Sequence, residues 1–399
     1  MSYTGKQMMH HSIYQFIAKL LSIYHFIGLK KILVWLSGWV DSAVAAYLLQ
    51  QQWYEVVGWF MKNYVSDTGN CTTYSDAEEA IKVAKFLWIE IISFDLQKEY
   101  NEKIIEYIYD GYQKWITPNP DVLCNSLIKF DVFLDKALEL GFDAIATGHY
   151  ARIKQVESRK SKVESNLSSK KKKSDFTDLE LYKPYRLLRG VDYNKDQSYF
   201  LSWLNQFQLS KSLFPLGEMT KPEIRMLAKK IWLPNAERKD SQWLCFIGNI
   251  PMKEFLKKRL PIKPWDIVLL DGTKVGEHEW AYFFTIGQSR GLDINKKAYV
   301  VAIDIKKNLV IVSYDKQEPQ LIKKEIIVEW RHRIGQEYHL PLKCSTKIRY
   351  RQEPNPATMK YVWDNIIVEY TDDQRGIAPG QTLTAYIWDE CIGSGTING

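Results

Sequence analysis

Glycine is scarce in this sequence. The 399 residues include 21 glycines, about 5%, where a globular chain has roughly 7%. Tryptophan is abundant instead, with 14 residues. Glycine is the residue that best tolerates the left-handed backbone of tight turns and helix ends. The shortage therefore implies that another residue type occupies some of those positions.

Cysteines are few, and no two of them form a CxxC pair. The five positions are Cys71, Cys124, Cys245, Cys344 and Cys391. This scatter excludes a disulfide scaffold and a zinc ribbon. It fits a reducing compartment, and we expect a cytoplasmic protein.

Long hydrophobic runs are also missing. The most apolar N-terminal segment, residues 12–28, is interrupted by Gln15, Lys19 and His25. It is too short to span a bilayer and lacks the basic start and small-residue cleavage site of a secretory signal. We therefore expect no membrane association and treat residues 1–29 as an N-terminal extension.

The charge pattern allows a polyanionic partner without requiring one. The formal net charge is +7, which suits nucleic-acid binding. Part of it comes from a lysine- and serine-rich stretch at about 154–183. That stretch has too few apolar residues to form a core, so we expect a disordered insertion, with a solvated loop favoured over an RNA contact.

Ten tryptophans stand where a turn or a helix end is expected. Trp53, Trp88 and Trp232 each separate a helical run from an extended one, the position that usually carries a left-handed glycine. The other seven are Trp35, Trp39, Trp115, Trp243, Trp265, Trp280 and Trp388. We hypothesise that many of these positions are glycine in the native protein, encoded by a UGA codon that is translated here as tryptophan. The alternative is that they are natural aromatic residues in loops.

A phosphate-binding turn is predicted within residues 31–50, KILVWLSGWVDSAVAAYLLQ. The pattern indicates a buried strand, a small-residue turn and a helix that starts near Asp41 and Ser42. Backbone N–H groups and the positive end of the helix dipole converge there. Residues 37–42, SGWVDS, resemble the SGGxDS pyrophosphate loop of ATP-pyrophosphatases except at Trp39. A tryptophan there is expected to crowd the pyrophosphate and to resist positive φ, so ATP should bind poorly.

The order of elements predicts an α/β fold with two further domains. Strands and helices alternate over residues 30–150, which is typical of a parallel sheet that binds nucleotides at the carboxyl ends of its strands. Met61 and Gly148 each follow such a strand and are expected near the turn, although Met61 could equally be a core residue. The expected parts are an extension at 1–29, a catalytic domain at 30–215, a small central domain at 216–283 and a C-terminal antiparallel β-barrel at 284–399.

Two cysteines are candidate nucleophiles. In TPNPDVLCN, residues 117–125, Cys124 stands near a predicted helix start, where the dipole should lower its pKa. Cys245 lies in a second short motif, SQWLCFIG. Each cysteine alone could be an apolar filler of the core. Asp121 could be a helix cap or a general base.

Taken together, these motifs resemble those of the bacterial tRNA-specific 2-thiouridylases over about residues 30–399. The matching stretches are SGWVDS, FMKN, TPNPDVLCN, ATGHY, LLRGVDYNKDQSYFL, LFPLGEMTKPEIR, KDSQWLCFIG, TIGQSRGL, KIRYRQ and APGQ. Several long motifs in the right order make the resemblance specific.

The resemblance implies roles for individual residues. It implies that ATP, together with Mg²⁺, is bound by Trp35, Leu36, Ser37, Gly38, Trp39, Val40, Asp41, Ser42, Met61 and Gly148. It implies that the target base meets Asn119, Pro120 and Asp121, and that the tRNA meets His149, Lys195, Asp196, Gln197, Arg349, Tyr350 and Gln381. No dedicated cluster of metal ligands is visible in the sequence.

The resemblance also implies the reaction, an ATP-dependent sulfur transfer to C2 of the wobble uridine of tRNAs with Lys, Glu and Gln anticodons. ATP would adenylate the C2 oxygen, and Cys245 would carry sulfur as a persulfide from a sulfur-relay protein or a cysteine desulfurase. Cys124 would release that sulfur by closing a disulfide with Cys245, and Asp121 would be the general acid/base. Two thiols at one site suit the delivery of a single sulfur atom.

Two other functions stay open. Another ligase with a pyrophosphatase loop would need neither Cys124 nor Cys245. A catalytically impaired tRNA-binding paralogue would keep the fold and the RNA surface, and Trp39 as a genuine residue is the feature that favours it.

Overall fold

The computed structural model describes residues 29–61, 73–114, 116–156, 184–239, 252–260, 263–304, 306–362 and 365–398. Several positions singled out in the sequence lie outside the described residues. They are residues 1–28, residues 157–183 of the lysine-rich insertion, Cys71, Trp115, Trp243 and Cys245.

Nine α-helices and seventeen strands occur in the described part of the chain. The helices are α1 (Val40–Gln51), α2 (Thr73–Leu87), α3 (Gln97–Tyr100), α4 (Glu106–Gln113), α5 (Pro120–Cys124), α6 (Phe133–Glu139), α7 (Gln206–Ser210), α8 (Lys221–Lys230) and α9 (Met252–Lys257). The first strands are β1 (Lys31–Trp35), β2 (Glu55–Trp59), β3 (Ile91–Ile92), β4 (Ala144–Ala146), β5 (Ala151–Gln155), β6 (Tyr185–Arg189) and β7 (Ser212–Leu213). The others are β8 (Trp265–Leu269), β9 (Lys274–His278), β10 (Tyr299–Asp304), β11 (Leu309–Ser313), β12 (Ile322–Arg333), β13 (Leu342–Lys347), β14 (Asn355–Val362), β15 (Asn365–Arg375), β16 (Thr382–Ile387) and β17 (Glu390–Ile397).

Two helical stretches are longer than their α-segments. The π-helical turns Asn101–Ile105 and Asn125–Val132 join α3 to α4 and α5 to α6 without a break. Residues 120–139 therefore run as one helical rod beneath the first sheet. Short 3₁₀ turns occur at Ser198–Leu201, Ala281–Phe283 and Pro319–Leu321.

The predicted parallel sheet is confirmed. Its five strands lie in the order β3-β2-β1-β4-β7, and every pair is parallel. Leu33 and Trp35 pack into the hydrophobic cluster on one face, and Ile32 and Val34 pack into the cluster on the other. A strand that is buried on both faces reads as a continuous apolar run, which is why the sequence indicated it clearly.

A second sheet forms the centre of the chain, in the order β10-β11-β8-β9. The runs AYVVAIDI and NLVIVS were expected in the C-terminal barrel, and that placement is wrong. They form β10 and β11, and β11 pairs in parallel with β8. Val300, Val310 and Val312 pack with Ile267 in a small core of their own. The expected boundary at residues 283 and 284 falls ahead of β10.

The C-terminal antiparallel barrel is confirmed. Its six strands follow the order β12-β15-β14-β13-β16-β17, and β12 also pairs with β17, which closes the barrel. Closure removes free strand edges within the barrel. On the outer side of β17, β6 adds through Leu187 and Leu188, and β5 follows it. The hydrogen-bonded sheet therefore continues from the barrel into the first domain.

Four of the ten unusual tryptophans have a left-handed backbone. The φ angles are 63° at Trp53, 55° at Trp88, 61° at Trp232 and 54° at Trp388. Their side chains are 67%, 80%, 82% and 92% exposed, so little packing offsets a conformational cost of about 1–2 kcal/mol per residue. Gly141, with φ of 85°, ends the α6 helix in the expected way. The glycine hypothesis gains support at these four positions.

The other suspect tryptophans in the described residues give no such signal. Trp35, Trp39, Trp265 and Trp280 do not have positive φ. Trp35 is buried, with its ring 4.6 Å from that of Trp59. Positive φ therefore supports glycine at four positions and gives no evidence for or against it at Trp35, Trp39, Trp265 and Trp280.

We predict that Trp53→Gly, Trp88→Gly, Trp232→Gly and Trp388→Gly each raise the free energy of unfolding by about 1 kcal/mol, because glycine adopts positive φ without a Cβ clash. Thermal and denaturant unfolding would measure the gains.

The matched control is Trp265→Gly. This tryptophan is 49% exposed and lies in the extended strand β8, so glycine should bring no gain and a small loss of strand stability. A peptide mass spectrum of the native protein that shows tryptophan at residues 53, 88 and 232 would refute the glycine hypothesis.

Candidate active site

The predicted phosphate turn joins β1 to α1. Helix α1 begins at Val40, with Trp39 as its N-cap at φ −93° and ψ 159°. The left-handed residue of the turn is Gly38, with φ of 78°. The expectation that residue 39 needs positive φ is therefore wrong. An extended N-cap accepts any residue, so Trp39 carries no backbone strain.

Hydroxyl groups tie the two ends of the turn together. Ser42 Oγ accepts a hydrogen bond from Ser37 N (3.2 Å), lies 3.1 Å from Ser37 Oγ and donates to Trp39 O (3.0 Å). Leu36 and Val40 are buried in the core, so only their backbone atoms face the turn. The first N–H groups of a helix have no partners inside it. This geometry is suited to an anion.

A carboxylate under the turn is held by two side chains from elsewhere. Asp41 accepts from Lys221 Nζ at 2.7 and 2.9 Å, and from Tyr150 Oη at 2.7 Å. Lys221 is the first residue of α8 and is nearly buried. Its backbone N donates to Asp192 (2.8 Å), which fixes the start of the helix. Thr220 N and Oγ1 both donate to the Glu223 carboxylate, at 2.7 and 2.8 Å, and so cap the same helix end.

The carbonyl of Gly38 is held from a third segment. Asn235 Nδ2 and Arg238 Nη1 each donate to it at 3.0 Å. Arg238 also pairs with Asp76, and its guanidinium lies 3.9 Å from the ring centroid of Trp39. The Trp39 ring is therefore stacked under a cation beside the turn.

Sequence reasoning missed Lys221, Asn235 and Arg238. Lys221 stands in LFPLGEMTKPEIR, a stretch that carried the family resemblance without a role for the lysine. It meets Asp41 across 180 positions of the chain, and no local pattern encodes such a contact.

Gly148 and Met61 both follow strands of the parallel sheet, but only Gly148 is constrained by the turn. A Cβ on Gly148 would lie 2.9 Å from the backbone of Asp41 and Ser42, so a missing side chain lets the two segments touch. Met61 is buried within the main hydrophobic cluster, which favours the core interpretation of this residue.

Cys124 lies deeper in its helix than expected. It is the last residue of α5, one turn beyond the N-cap Asn119. The helix dipole acts mainly within the first turn, so the predicted dipole effect on this thiol is weak. Its side chain is 2% exposed and packs in the main apolar cluster. The apolar setting keeps water away from the sulfur.

The segment ahead of Cys124 rests on the C-terminal barrel. Asn119 Nδ2 donates to Tyr199 Oη (3.2 Å), which in turn donates to Thr382 O (2.9 Å). Gln381 Nε2 donates to Thr117 O at 3.2 Å. The barrel thus reaches the candidate base-binding residues directly.

Arg349 and Asp121 complete this cluster. Burial raises the pKa of Tyr199, while Arg349 lowers it and Asp121 raises it, so both charges lie close to the hydroxyl. The structure therefore brings together Asn119, Asp121, Gln381 and Arg349, to which the family resemblance assigned contacts with the base or the tRNA. Pro120 follows as the first residue of α5.

His149 is buried beside the sheet. Its Nδ1 lies 2.7 Å from Thr147 Oγ1, and its ring packs near Phe130 and Phe214. Burial, with the nearby charge of Lys129, holds the pKa of His149 well below its usual value. The imidazole is therefore neutral at pH 7 and contributes no cation for RNA.

Asp196 is a buried anchor. Its carboxylate accepts from Arg189 Nε (3.2 Å), Lys347 Nζ (3.0 Å), Gly190 N (3.2 Å) and Ser198 N (3.1 Å), and its side chain is fully buried. Contact with tRNA would require this cluster to open.

The neighbours of Asp196 also brace the fold. Gln197 accepts from Tyr150 N at 3.0 Å, and Tyr350 Oη donates to Lys195 O at 3.4 Å. Burial raises the pKa of Tyr350 to about 12. Its hydroxyl therefore stays protonated at neutral pH, as its hydrogen bond to Lys195 O requires.

Among the described residues, no helix is both long and apolar enough to cross a membrane. Within the same residues, no three His, Cys, Asp or Glu side chains come together in a way that would hold a metal ion.

Three family models match the chain in succession. Residues 30–249 match the HUP domain described under tRNA methyl transferase. Residues 253–314 match the PRC-barrel domain described under the same name, and residues 323–397 match the aminomethyltransferase β-barrel domain. The first match alone covers more than half of the chain.

Two relatives match this chain over nearly its full length. The tRNA-specific 2-thiouridylase MnmA of Flavobacterium johnsoniae is 38% identical over 416 residues, covering 93% of this chain and all of the relative. The protein of the same name from Lactiplantibacillus plantarum is 41% identical over 383 residues, covering 92% and 95%. The U34-tRNA thiolase NcsA of Methanococcus maripaludis is only 16% identical, with a TM-score of 0.32 over 57% of this chain and 62% of that one, and supports no argument.

We predict that Lys221→Met weakens ATP binding roughly tenfold, on the scale of one lost charge-assisted hydrogen bond. The variant removes the Lys221 Nζ donor that holds the Asp41 carboxylate, so the lysine charge would no longer offset the repulsion between Asp41 and the phosphates of the nucleotide. Calorimetric titration with ATP would measure the change.

The matched control is Lys229→Met on the same helix, whose lysine pairs with Glu237 on the surface. ATP affinity should be unchanged there. Equal affinities in the two variants would contradict the role given to Lys221.

We predict that Asp196→Ala lowers the free energy of unfolding by about 3–5 kcal/mol, since it leaves Lys347 and Arg189 buried without their counter-charge. Thermal unfolding would measure the loss. Asp373→Ala, which removes an exposed partner of Lys324, is the control and should change stability by less than about 1 kcal/mol. A stable Asp196→Ala protein with weakened tRNA binding would instead favour a direct contact with RNA.

Proposed function

The chain belongs to the family of tRNA-specific 2-thiouridylases, and from that premise we propose that it transfers sulfur to C2 of the wobble uridine of tRNA in an ATP-dependent reaction. One observation carries the proposal. The segment with Asn119 and Cys124 contacts the C-terminal barrel through Gln381, and Cys124 packs in the same hydrophobic cluster as Trp35, the last residue of the strand that leads into the phosphate-type turn. The helical stretch that follows Cys124 contacts that strand directly, with the Phe133 ring 5.0 Å from the Trp35 ring. This arrangement supports a reaction in which a nucleotide, a thiol and an RNA surface act together.

The first step activates the base. The turn at residues 37–42 would hold the triphosphate so that the uridine C2 oxygen attacks the α-phosphorus. The bond from that phosphorus to pyrophosphate breaks, and the C2 oxygen becomes part of an adenylate, a good leaving group. Gly38 and the start of α1 supply the backbone donors, as helix N-termini do for phosphates.

Magnesium fits the donors at this turn. The hydroxyls of Ser37 and Ser42 and the partly exposed carboxylate of Asp41 are the oxygen ligands that Mg²⁺ prefers. The ion would neutralise phosphate charge, while Lys221 keeps Asp41 in place.

The second step transfers sulfur. The terminal sulfur of a Cys245 persulfide attacks C2, and the C2–O bond to AMP breaks. The Cys124 thiolate then attacks Sγ of Cys245, which breaks the persulfide S–S bond and leaves sulfur on C2. The two cysteine sulfurs together give up two electrons and end as a disulfide, which a dithiol reductant must reopen. Asp121 is the proposed general acid/base.

The partners follow from the same chemistry. The substrate is proposed to be tRNA with Lys, Glu or Gln anticodons, and the persulfide to come from a sulfur-relay protein or a cysteine desulfurase in the cytoplasm. The formal charge of +7 suits contacts with phosphates. The target base must leave its stack to reach a site this enclosed.

We predict that Cys124→Ser and Cys245→Ser each abolish 2-thiouridine formation on unmodified tRNA supplied with ATP and a persulfide donor. A hydroxyl neither carries sulfane sulfur nor exchanges with it. Cys344→Ala is the control, because burial raises the pKa of that thiol to about 12 and keeps it protonated. Activity retained in the Cys124 and Cys245 variants would favour another ligase of the pyrophosphatase-loop class.

Trp39 is the residue on which the two candidate functions, an active enzyme and an impaired tRNA-binding paralogue, give different expectations. The ring stacks beside Arg238 without backbone strain, so its only cost is the space it takes near the pyrophosphate. Comparing the chain with its Trp39→Gly variant in the same assay measures that cost. tRNA binding without activity in either protein would favour the tRNA-binding paralogue.

A further inference from the structure

A cationic pocket lies where the central sheet meets the C-terminal barrel. Its volume is about 400 Å³. Four of its lining side chains are cations and none is a carboxylate: Lys297, Lys316, Arg349 and Arg375. Gly287, Ser289, Tyr299 and Gly376 complete the lining.

Two glycines let the walls of this pocket touch. Gly287 has φ of 84° and Gly376 has φ of 65°, and a Cβ on Gly287 would lie 2.8 Å from Gly376 Cα. Arg349 Nη2 donates to Gly376 O at 2.6 Å and to Ile286 O at 3.3 Å. The loop of TIGQSRGL and the end of β15 are thus fixed to each other by a guanidinium.

The cations lack a counter-charge. None of the four pairs with a carboxylate among the residues that the structure describes. The Arg375 guanidinium lies over the ring of Tyr299 at 4.3 Å, and its Nε is buried without a hydrogen-bond acceptor in the described chain. Desolvation lowers the pKa of Arg349, and the charge of Arg375 lowers it further, against an opposite effect of Tyr199.

A bound anion would relieve two costs in this pocket. It would accept a hydrogen bond from the buried Nε of Arg375, and it would reduce the repulsion among the neighbouring cations. A buried N–H without a partner costs about 1–3 kcal/mol, and neighbouring like charges repel. Guanidinium groups match phosphate oxygens with paired donors. The pocket therefore has the charge and the donors for one phosphate group.

We propose that this pocket binds a phosphodiester group of the tRNA backbone. That the phosphate comes from tRNA rests on the proposed function. Arg349 also lies near Tyr199, which accepts from Asn119 of the candidate base site. A base drawn out of its stack brings its flanking phosphates with it. The pocket holds the strand in position and reads no sequence.

The test is tRNA affinity as a function of salt, with an unmodified tRNA transcript and the full chain. Arg375→Gln and Lys316→Met are each expected to weaken binding about 5- to 30-fold and to reduce the slope of log K against log salt by about one. The loss should be the same for tRNAs of different sequence, and ATP affinity should not change. Lys316 is exposed, so its variant tests the pocket even if Arg375→Gln unfolds.

The matched control is Lys324→Met, which removes an exposed cation from the barrel outside the pocket. Equal losses in the Lys316 and Lys324 variants, or a loss in neither, would overturn the proposal. Inorganic phosphate that binds the pocket without competing with tRNA would also overturn it, in favour of a free anion. The experiment measures tRNA affinity alone. Its result therefore stays interpretable even if the protein does not transfer sulfur.

Discussion

The buried carboxylate of Asp196 is the contact on which the arrangement of the domains depends. It takes hydrogen bonds from β6, from the chain after β6 and from Lys347 of the barrel strand β13. A buried charge is stable only while its partners stay in place. The carboxylate therefore ties the chain around residues 189–198 to the barrel, and β17 extends that link by pairing with β6. Gln197, next to Asp196, accepts from Tyr150 N and joins the same stretch to the first domain.

The site inherits its geometry from this link. Gln381 of the barrel donates to Thr117. Tyr199 likewise joins Asn119 to Thr382. Both contacts require the barrel to lie against the first domain. On the nucleotide side, Lys221 and Arg238 hold Asp41 and Gly38 from beyond the sheet. Each reacting element is thus positioned by a part of the chain that is distant in sequence.

Sequence patterns predicted the local elements, the parallel sheet and the barrel, but not the side-chain contacts between distant segments. The strand, turn and helix of residues 31–51 were readable because apolar runs and a small-residue turn encode them. Left-handed backbones at Trp53, Trp88 and Trp232 were readable from the flanking helix ends. The turn at Trp39 was misjudged because the positive φ belongs to its neighbour. The partner strands of β10 and β11, and the burial of Asp196, depend on contacts across the fold and leave no trace in spacing.

The exposed tryptophans at left-handed positions link backbone geometry to the genetic code. A ribosome that inserts an indole at these four positions makes a chain with four bulky apolar rings on its surface, each a point of adhesion for other chains. Production of the protein in a host that reads UGA as stop or as tryptophan would then give truncated or aggregating material. On the glycine hypothesis, the left-handed positions occupied by tryptophan mark the UGA codons that the cell of origin reads as glycine.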